Sequence, residues 1–189
     1  MVPEDLVERL SEIANRMGVS ISNYATEALK QALRINSLNA TLDEAVDAYR
    51  LVKIQQGAGG VHIPRSTLNQ LLKELYKEEG DRLKKMWYEA GRWYGEYLNT
   101  KLGDDEALSF LEKDLLISWN LDEVEINNNG YEASIRYASF MMTDEMTELL
   151  LSYISGVMRA LNYREENKDY LRGMATIKFI KMIEINKEQ

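Results

Sequence analysis

The sequence predicts an α+β protein: an N-terminal helical dimerisation module followed by a mixed α+β domain with a small antiparallel sheet. Three observations carry this. Apolar residues recur at helical spacing from Leu6 to Val52. A glycine cluster, GAGG at Gly57–Gly60, then breaks the chain. Beyond it helical patterns give way to alternation in VEINNNGYEASIRY and in the closing MATIKFIKMI. The expected organisation is a helical module over 1–56, a glycine-rich hinge and short strand over 57–65, and an α+β domain over 66–189.

The first helix opens at Pro3, suited to an N1 position, with Glu4 and Asp5 complementing the helix dipole. Leu6, Leu10, Ile13 and Met17 form its stripe, and Gly18 ends it. Ser20 or Ser22 caps a second helix whose face is Tyr24, Ala25, Ala28, Leu29, Ala32 and Leu33. Thr41 and Glu44 form a capping box for a third, striped by Leu42, Ala45, Val46, Tyr49 and Val52. After the glycines, Val61-His62-Ile63-Pro64 is expected as a short extended segment, because the residue before a proline avoids helix. Val61 and Ile63 are expected to pack inward from a connecting strand.

Ser66 is expected to cap the next helix, which carries Leu68, Leu71, Leu72 and Leu75, with a kink near Gly80. A second run continues through Met86, Trp87, Ala90, Tyr94 and Leu98. Asp104 and Asp105 open a helix with Leu108, Leu111 and Leu115 inward. Val124 and Ile126 then alternate, NNNG supplies a turn, and Ala133, Ile135 and Tyr137 alternate back, a hairpin signal. Thr143 or Asp144 caps a strong helix from Met146 to Leu161, and MATIKFIKMI closes the fold as a strand.

Composition narrows the function. Hydrophobic content of 45% and charged content of 29% are ordinary for a globular chain of 189 residues. Without cysteine there is neither a disulfide framework nor a thiolate metal site, and with His62 as the single histidine no metal or other cofactor is expected. No basic segment precedes an apolar run at the N-terminus, and apolar runs fall far short of the roughly 20 residues that span a bilayer. A soluble, cytoplasmic protein without membrane contact is therefore expected. The net charge of −8 opposes general nucleic-acid coating; residues 1–65 carry −1 of it and residues 66–189 carry −7. Any DNA contact belongs to the first third.

Enzyme signatures are weak, and no enzymatic activity is expected. No nucleophile elbow accompanies His62, and the glycine cluster lacks the phosphate-loop pattern. The acidic pairs Asp104-Asp105 and Glu165-Glu166 fall at a helix start and in an expected loop, where capping and solvated roles predominate. The aromatics of the second module are core or interface residues by helical spacing, or else line a pocket for a small hydrophobic ligand. Trp119, Phe140, Met141 and Tyr153 are the candidate lining residues.

Two resemblances sharpen these expectations. Pro3-Glu4-Asp5-Leu6, the turn Gly18-Val19-Ser20-Ile21-Ser22, and Glu27-Ala28-Leu29 resemble the ribbon-helix-helix family of dimeric transcription factors over about 35 residues. The resemblance implies a homodimer whose second helix presents its N-terminus, here Ser20 and Ser22, to the DNA backbone. Only Met1 and Val2 precede Pro3, so the base-reading ribbon is expected to be missing, leaving any DNA binding weak. Gly60-Val61-His62-Ile63-Pro64 has the strand–proline order of such a ribbon, but a connecting strand is the preferred reading.

MWYEAGRWYGEYL, the helix at Asp104, VEINNNGYEASIRYAS, SYISGVMRALNY and GMATIKFI together resemble the 4-vinyl reductase domain over roughly residues 70–185. That fold is similar to the sensor domain of aromatic-responsive bacterial regulators and to a class of vesicle-tethering subunits. Gly91, Gly95 and Gly156 are the distinctive positions. The resemblance implies a dimerising domain that binds a small hydrophobic molecule; many members hold a metal with cysteines, which this chain lacks. The expected function is that of a dimeric transcriptional-regulator-like protein with a small-molecule-sensing domain. The alternative is a structural or interaction protein that uses both modules only for assembly.

Overall fold

The computed structural model describes residues 2–182, without the side chains of Asp104 and Asp105. The chain divides into two compact units, Met1–Ile54 and Gln55–Gln189.

The first unit is helical: α1 (Glu4–Met17), α2 (Ile21–Asn36) and most of α3 (Leu42–Gly57). Pro3 stands at the N-cap of α1, one position before the expected N1. Gly18 closes α1 in the left-handed region at φ 70°, which a side chain would strain. The Ser20 Oγ accepts from the Asn23 amide at 3.2 Å and caps α2. The expected capping box is present: the Thr41 amide donates to Glu44 Oε2 at 2.7 Å, and the Glu44 amide donates to Thr41 Oγ1 at 3.2 Å. α1 and α2 pack together, yet only Ala14 is buried between the two helices' sequences. Leu29 and Leu33, one turn apart on α2, are 67% and 73% exposed.

The second unit is α+β. It contains α4 (Arg65–Leu102), α5 (Asp104–Ser118), β1 (Glu123–Asn128), β2 (Glu132–Ala138), α6 (Asp144–Ala160), β3 (Tyr163–Leu171) and β4 (Met174–Lys181). The sheet is antiparallel throughout, in the order β1-β2-β4-β3, so the closing strand lies inside the sheet. Ala133, Ile135 and Tyr137 on β2, with Ala175, Ile177 and Phe179 on β4, form its buried face. The core continues into α6, where Leu149, Leu150, Ile154, Val157 and Met158 are all buried.

Glycine sets the approach of α4 to α6. A Cβ on Gly91 would overlap the Tyr153 carbonyl, and one on Gly156 would overlap the Tyr88 carbonyl. A Cβ on Gly95 would lie 2.6 Å from the Val157 carbonyl oxygen and 2.8 Å from the Ala160 Cβ. The two helices therefore cross with backbone against backbone. α4 bends at Glu79 (φ −124°, ψ 17°), beside the expected Gly80. Tyr76, before the bend, and Lys84, after it, both donate to Glu148 Oε2 on α6, at 2.5 and 3.3 Å.

Local chemistry explains the remaining turns. Asn128 Oδ1 accepts from the Gly130 amide, and Asn129 Oδ1 accepts from the amides of Tyr131 and Glu132, closing the β1–β2 hairpin. The Thr143 Oγ1 accepts from the Met146 amide and caps α6.

Several expectations are corrected. Val61–Pro64 pairs with no strand among the described residues, and Val61 and Ile63 are 78% and 50% exposed. Ser66 does not cap α4, which starts one residue earlier behind Pro64. Leu71, Leu75 and Met86 are about half exposed, while Leu72 and Leu83 provide the inward contacts. Glu165 and Glu166 lie on β3, not in a loop. β3 is an edge strand on which only Tyr163 is buried, so no apolar alternation marks it.

Candidate ligand cleft

The second unit encloses a cleft of about 700 Å³, within the range typical of small-molecule sites. Helical spacing builds most of it. Trp87, Ala90 and Tyr94 lie at i, i+3 and i+7 on α4, with Trp93 beside them. Asp114, Ile117 and Ser118 lie at i, i+3 and i+4 on α5, followed by Trp119 and Asn120 at its C-terminus. α6 adds Met146 and Tyr153. The remaining wall is the segment from Gln55 to Leu68, including His62 and Ile63.

Arg65 fixes that wall to α5. Its Nη2 donates to the Asn120 carbonyl at 2.7 Å and the Trp119 carbonyl at 3.3 Å. These carbonyls lie at the negative end of the helix, where a guanidinium is favoured electrostatically. The rings of Trp119 and Tyr153 are 5.3 Å apart, and those of Tyr94 and Tyr153 are 6.1 Å apart. Trp93 stacks outward on Tyr97 at 5.7 Å and is 52% exposed.

A carboxylate lies among these rings. Asp114 is only 3% exposed. Its Oδ1 accepts from Ser118 Oγ at 2.5 Å and Gln55 Nε2 at 3.0 Å, and Gln55 Nε2 also contacts Ser118 Oγ. Burial pushes the Asp114 carboxyl above the usual aspartate range, against the opposing pull of Ser118, Gln55 and the Tyr94 hydroxyl. The Tyr94 hydroxyl is buried beside Asp114, directed toward its carboxyl but short of ideal hydrogen-bond geometry. Burial first, and the Asp114 charge second, push the Tyr94 and Tyr153 hydroxyls up. The arrangement can hold a flat apolar body against the rings and a hydrogen-bond donor at its floor.

Of the four residues expected to line a pocket, Trp119 and Tyr153 do so. Phe140 and Met141 do not: they are 82% and 70% exposed on the turn after β2, and Met142 alone of that stretch points inward. The Phe140 amide donates to Asp122 Oδ2 at 2.8 Å, which fixes the turn with both side chains outward. Ser20 and Ser22 lie apart from the cleft sequence, on the first unit; Ser20 caps α2 and Ser22 is exposed in its first turn. The side chains of Asp104 and Asp105 lie outside the described residues. Glu165 accepts from Ser155 Oγ at 2.6 Å and pairs with Lys168 at 2.9 Å.

Sequence reasoning missed Asp114, Gln55 and Ser118. Their one local signal is a charge placed between Leu111 and Leu115 on an otherwise inward face. A second, more open hollow of about 830 Å³ lies over the sheet between Glu123, Glu125, Arg136 and Thr176, and lacks a comparable buried group. Among the described residues no group of three or more histidine, cysteine, aspartate or glutamate side chains could hold a metal ion. No described helix is long and apolar enough to cross a membrane.

No protein-family model and no curated protein matches the chain. Solved structures similar to it include one from work probing the function of heme distortion in the H-NOX family, at 12% identity and TM-score 0.40, covering 82% of this chain and 95% of that one. Another is a Cs H-NOX mutant with 4-cyano-L-phenylalanine at site 5, at 12% identity and TM-score 0.39, covering 82% and 92%. Similarity at this level carries no argument about function, which rests on the cleft itself.

Proposed function

We propose that the second unit is a small-molecule-sensing domain and that the first assembles two copies into a regulator of ribbon-helix-helix type. The observation that carries the sensing role is the cleft: about 700 Å³ of space walled by aromatic rings over a buried carboxylate. Rings supply contact area, and the few polar groups fix orientation. The wall from Gln55 to Leu68 continues directly from α3, so an occupant touches the chain that leads out of the helical unit. Such a ligand alters the arrangement of the helices only by preferring one arrangement over another.

All three tryptophans of the chain, Trp87, Trp93 and Trp119, line the cleft, so emission excited selectively at tryptophan reports on it. Titration with small aromatic compounds should give a saturable change in emission, lost or shifted in Trp119→Ala. Absence of a saturable change across naphthalene-, indole- and phenol-based compounds at millimolar concentration would refute the sensing role.

A second reading, assembly without sensing, is favoured by the exposed Leu29 and Leu33. It predicts a dimer with an unresponsive cleft, so the same titration separates the two.

A further inference from the structure

We infer that the cleft selects an aromatic ligand carrying a protonated amine, which Asp114 receives at Oδ2. This rests on the sensing role proposed above and specifies the chemistry of that ligand.

The argument begins with an uncompensated charge. Asp114 is 3% exposed, yet among the described residues its hydrogen-bond partners are the neutral Ser118 and Gln55 and no basic side chain pairs with it. The nearest guanidinium in the lining, Arg65, is committed to the carbonyls of Trp119 and Asn120. The bonds from Ser118 and Gln55 converge on Oδ1, which orients the carboxylate; the one further donor facing it is the neutral Tyr94 hydroxyl, so Oδ2 still lacks a charged partner. A buried carboxylate without a counter-charge is costly, and an arriving ammonium removes that cost.

The walls favour the same chemistry. The faces of tryptophan and tyrosine rings attract cations, more strongly where water is excluded. Trp119 and Tyr153 stand 5.3 Å apart beside the carboxylate. The Tyr94 hydroxyl, buried beside Asp114, can accept a second N–H from the same ammonium group while its own proton faces the carboxylate. An anionic ligand would meet Asp114 with like charge, and a neutral one would leave Asp114 uncompensated.

Three probes with one skeleton test this by isothermal titration calorimetry: 2-naphthylmethylammonium, 2-naphthylmethanol and 2-naphthoate. The wild-type protein should bind the ammonium compound at least about tenfold more tightly than the alcohol, and the carboxylate most weakly, as expected of a desolvated cation between rings beside a carboxylate. Asp114→Asn should abolish the preference for the ammonium compound and leave the alcohol's affinity within about threefold. Tyr94→Phe, which keeps the carboxylate, should reduce the preference partially. Equal wild-type affinities for ammonium and alcohol would overturn the inference while leaving the sensing role intact. Retention of the preference in Asp114→Asn would overturn the assignment to Asp114. Binding of none of the three would overturn the inference together with the sensing role. The wild-type comparison stands even if a variant fails to fold.

Discussion

At Asp114 a carboxylate accepts two hydrogen bonds through one oxygen while its surroundings exclude water. Burial outweighs those bonds, so its folded-state pKa lies above the ordinary aspartate value. An acid raised in the folded state favours the protonated form there. Its stabilising contribution is therefore complete below the ordinary aspartate range and is lost as pH rises through the raised value. Asparagine keeps an Oδ1 for Ser118 and Gln55 and offers its amide toward the Tyr94 hydroxyl. Asp114→Asn should therefore be at least as stable as wild type near neutral pH, with the advantage shrinking as pH falls through the raised value toward the ordinary aspartate range. Thermal unfolding of both proteins from about pH 4 to about pH 8 measures the difference, in which the other carboxylates cancel. A variant several degrees less stable at neutral pH would show that the charge supports the fold. Glu165 has the opposite sign: its bonds to Ser155 and Lys168 outweigh burial and hold it below the usual range. Its contribution is present above the ordinary glutamate value and is lost as pH falls through the lowered one.

At the scale of elements, the α4–α6 crossing depends on three glycines with no room for a Cβ. In an exposed helix Gly→Ala stabilises by roughly 0.5–1 kcal/mol, because alanine loses less backbone freedom on folding. Gly156→Ala should reverse that sign and destabilise by about 3 kcal/mol, since the obstructing atom is the Tyr88 carbonyl and not a movable side chain. Urea unfolding checks it; a neutral or stabilised variant would mean that the helices separate at little cost. The capped helices and the Asn-rich hairpin were legible in the sequence, because each is encoded within a few residues. Gly91, Gly95 and Gly156 stood out only through a family resemblance, and their role in the crossing depends on contacts between α4 and α6. β3 was not legible, since an exposed edge strand rich in charge needs no apolar alternation. Val61 and Ile63 read as a strand because β-branched residues beside a proline suit extended backbone, whether or not a partner strand exists. Phe140 and Met141 show the limit of hydrophobicity as a guide, since a turn can hold two large apolar side chains in solvent. Asp114 was opaque for a different reason: one of its two donors, Gln55, lies 59 residues away.

At the scale of the whole molecule, the helical unit leaves Leu6, Val7, Leu29, Leu33 and Tyr49 exposed, while α2 buries no residue at all. Stripes of this kind are covered when two copies pair about a twofold axis. A homodimer is therefore expected, and sedimentation at micromolar concentration should give twice the 21.8 kDa chain mass. Leu29→Glu with Leu33→Glu should shift the species to monomer without disturbing the cleft's fluorescence; a monomeric wild type would remove the basis of assembly. Pairing would also place two α2 N-termini in one particle, which bears on DNA. Ser20 already spends its side chain on capping, so a phosphate would be met by backbone amides and the helix dipole, not by a base-reading group. Binding to duplex DNA should then be weak and nearly independent of sequence. If about four phosphates are neutralised per dimer, the log–log salt dependence should have a slope of about −3.6. The net charge of −8 per chain weakens association further at low salt. Titration against a candidate operator and a scrambled duplex at several salt concentrations measures both terms. A thousandfold preference for one sequence would require a reader of base edges, and the exposed Val61–Ile63 segment would be the first place to substitute.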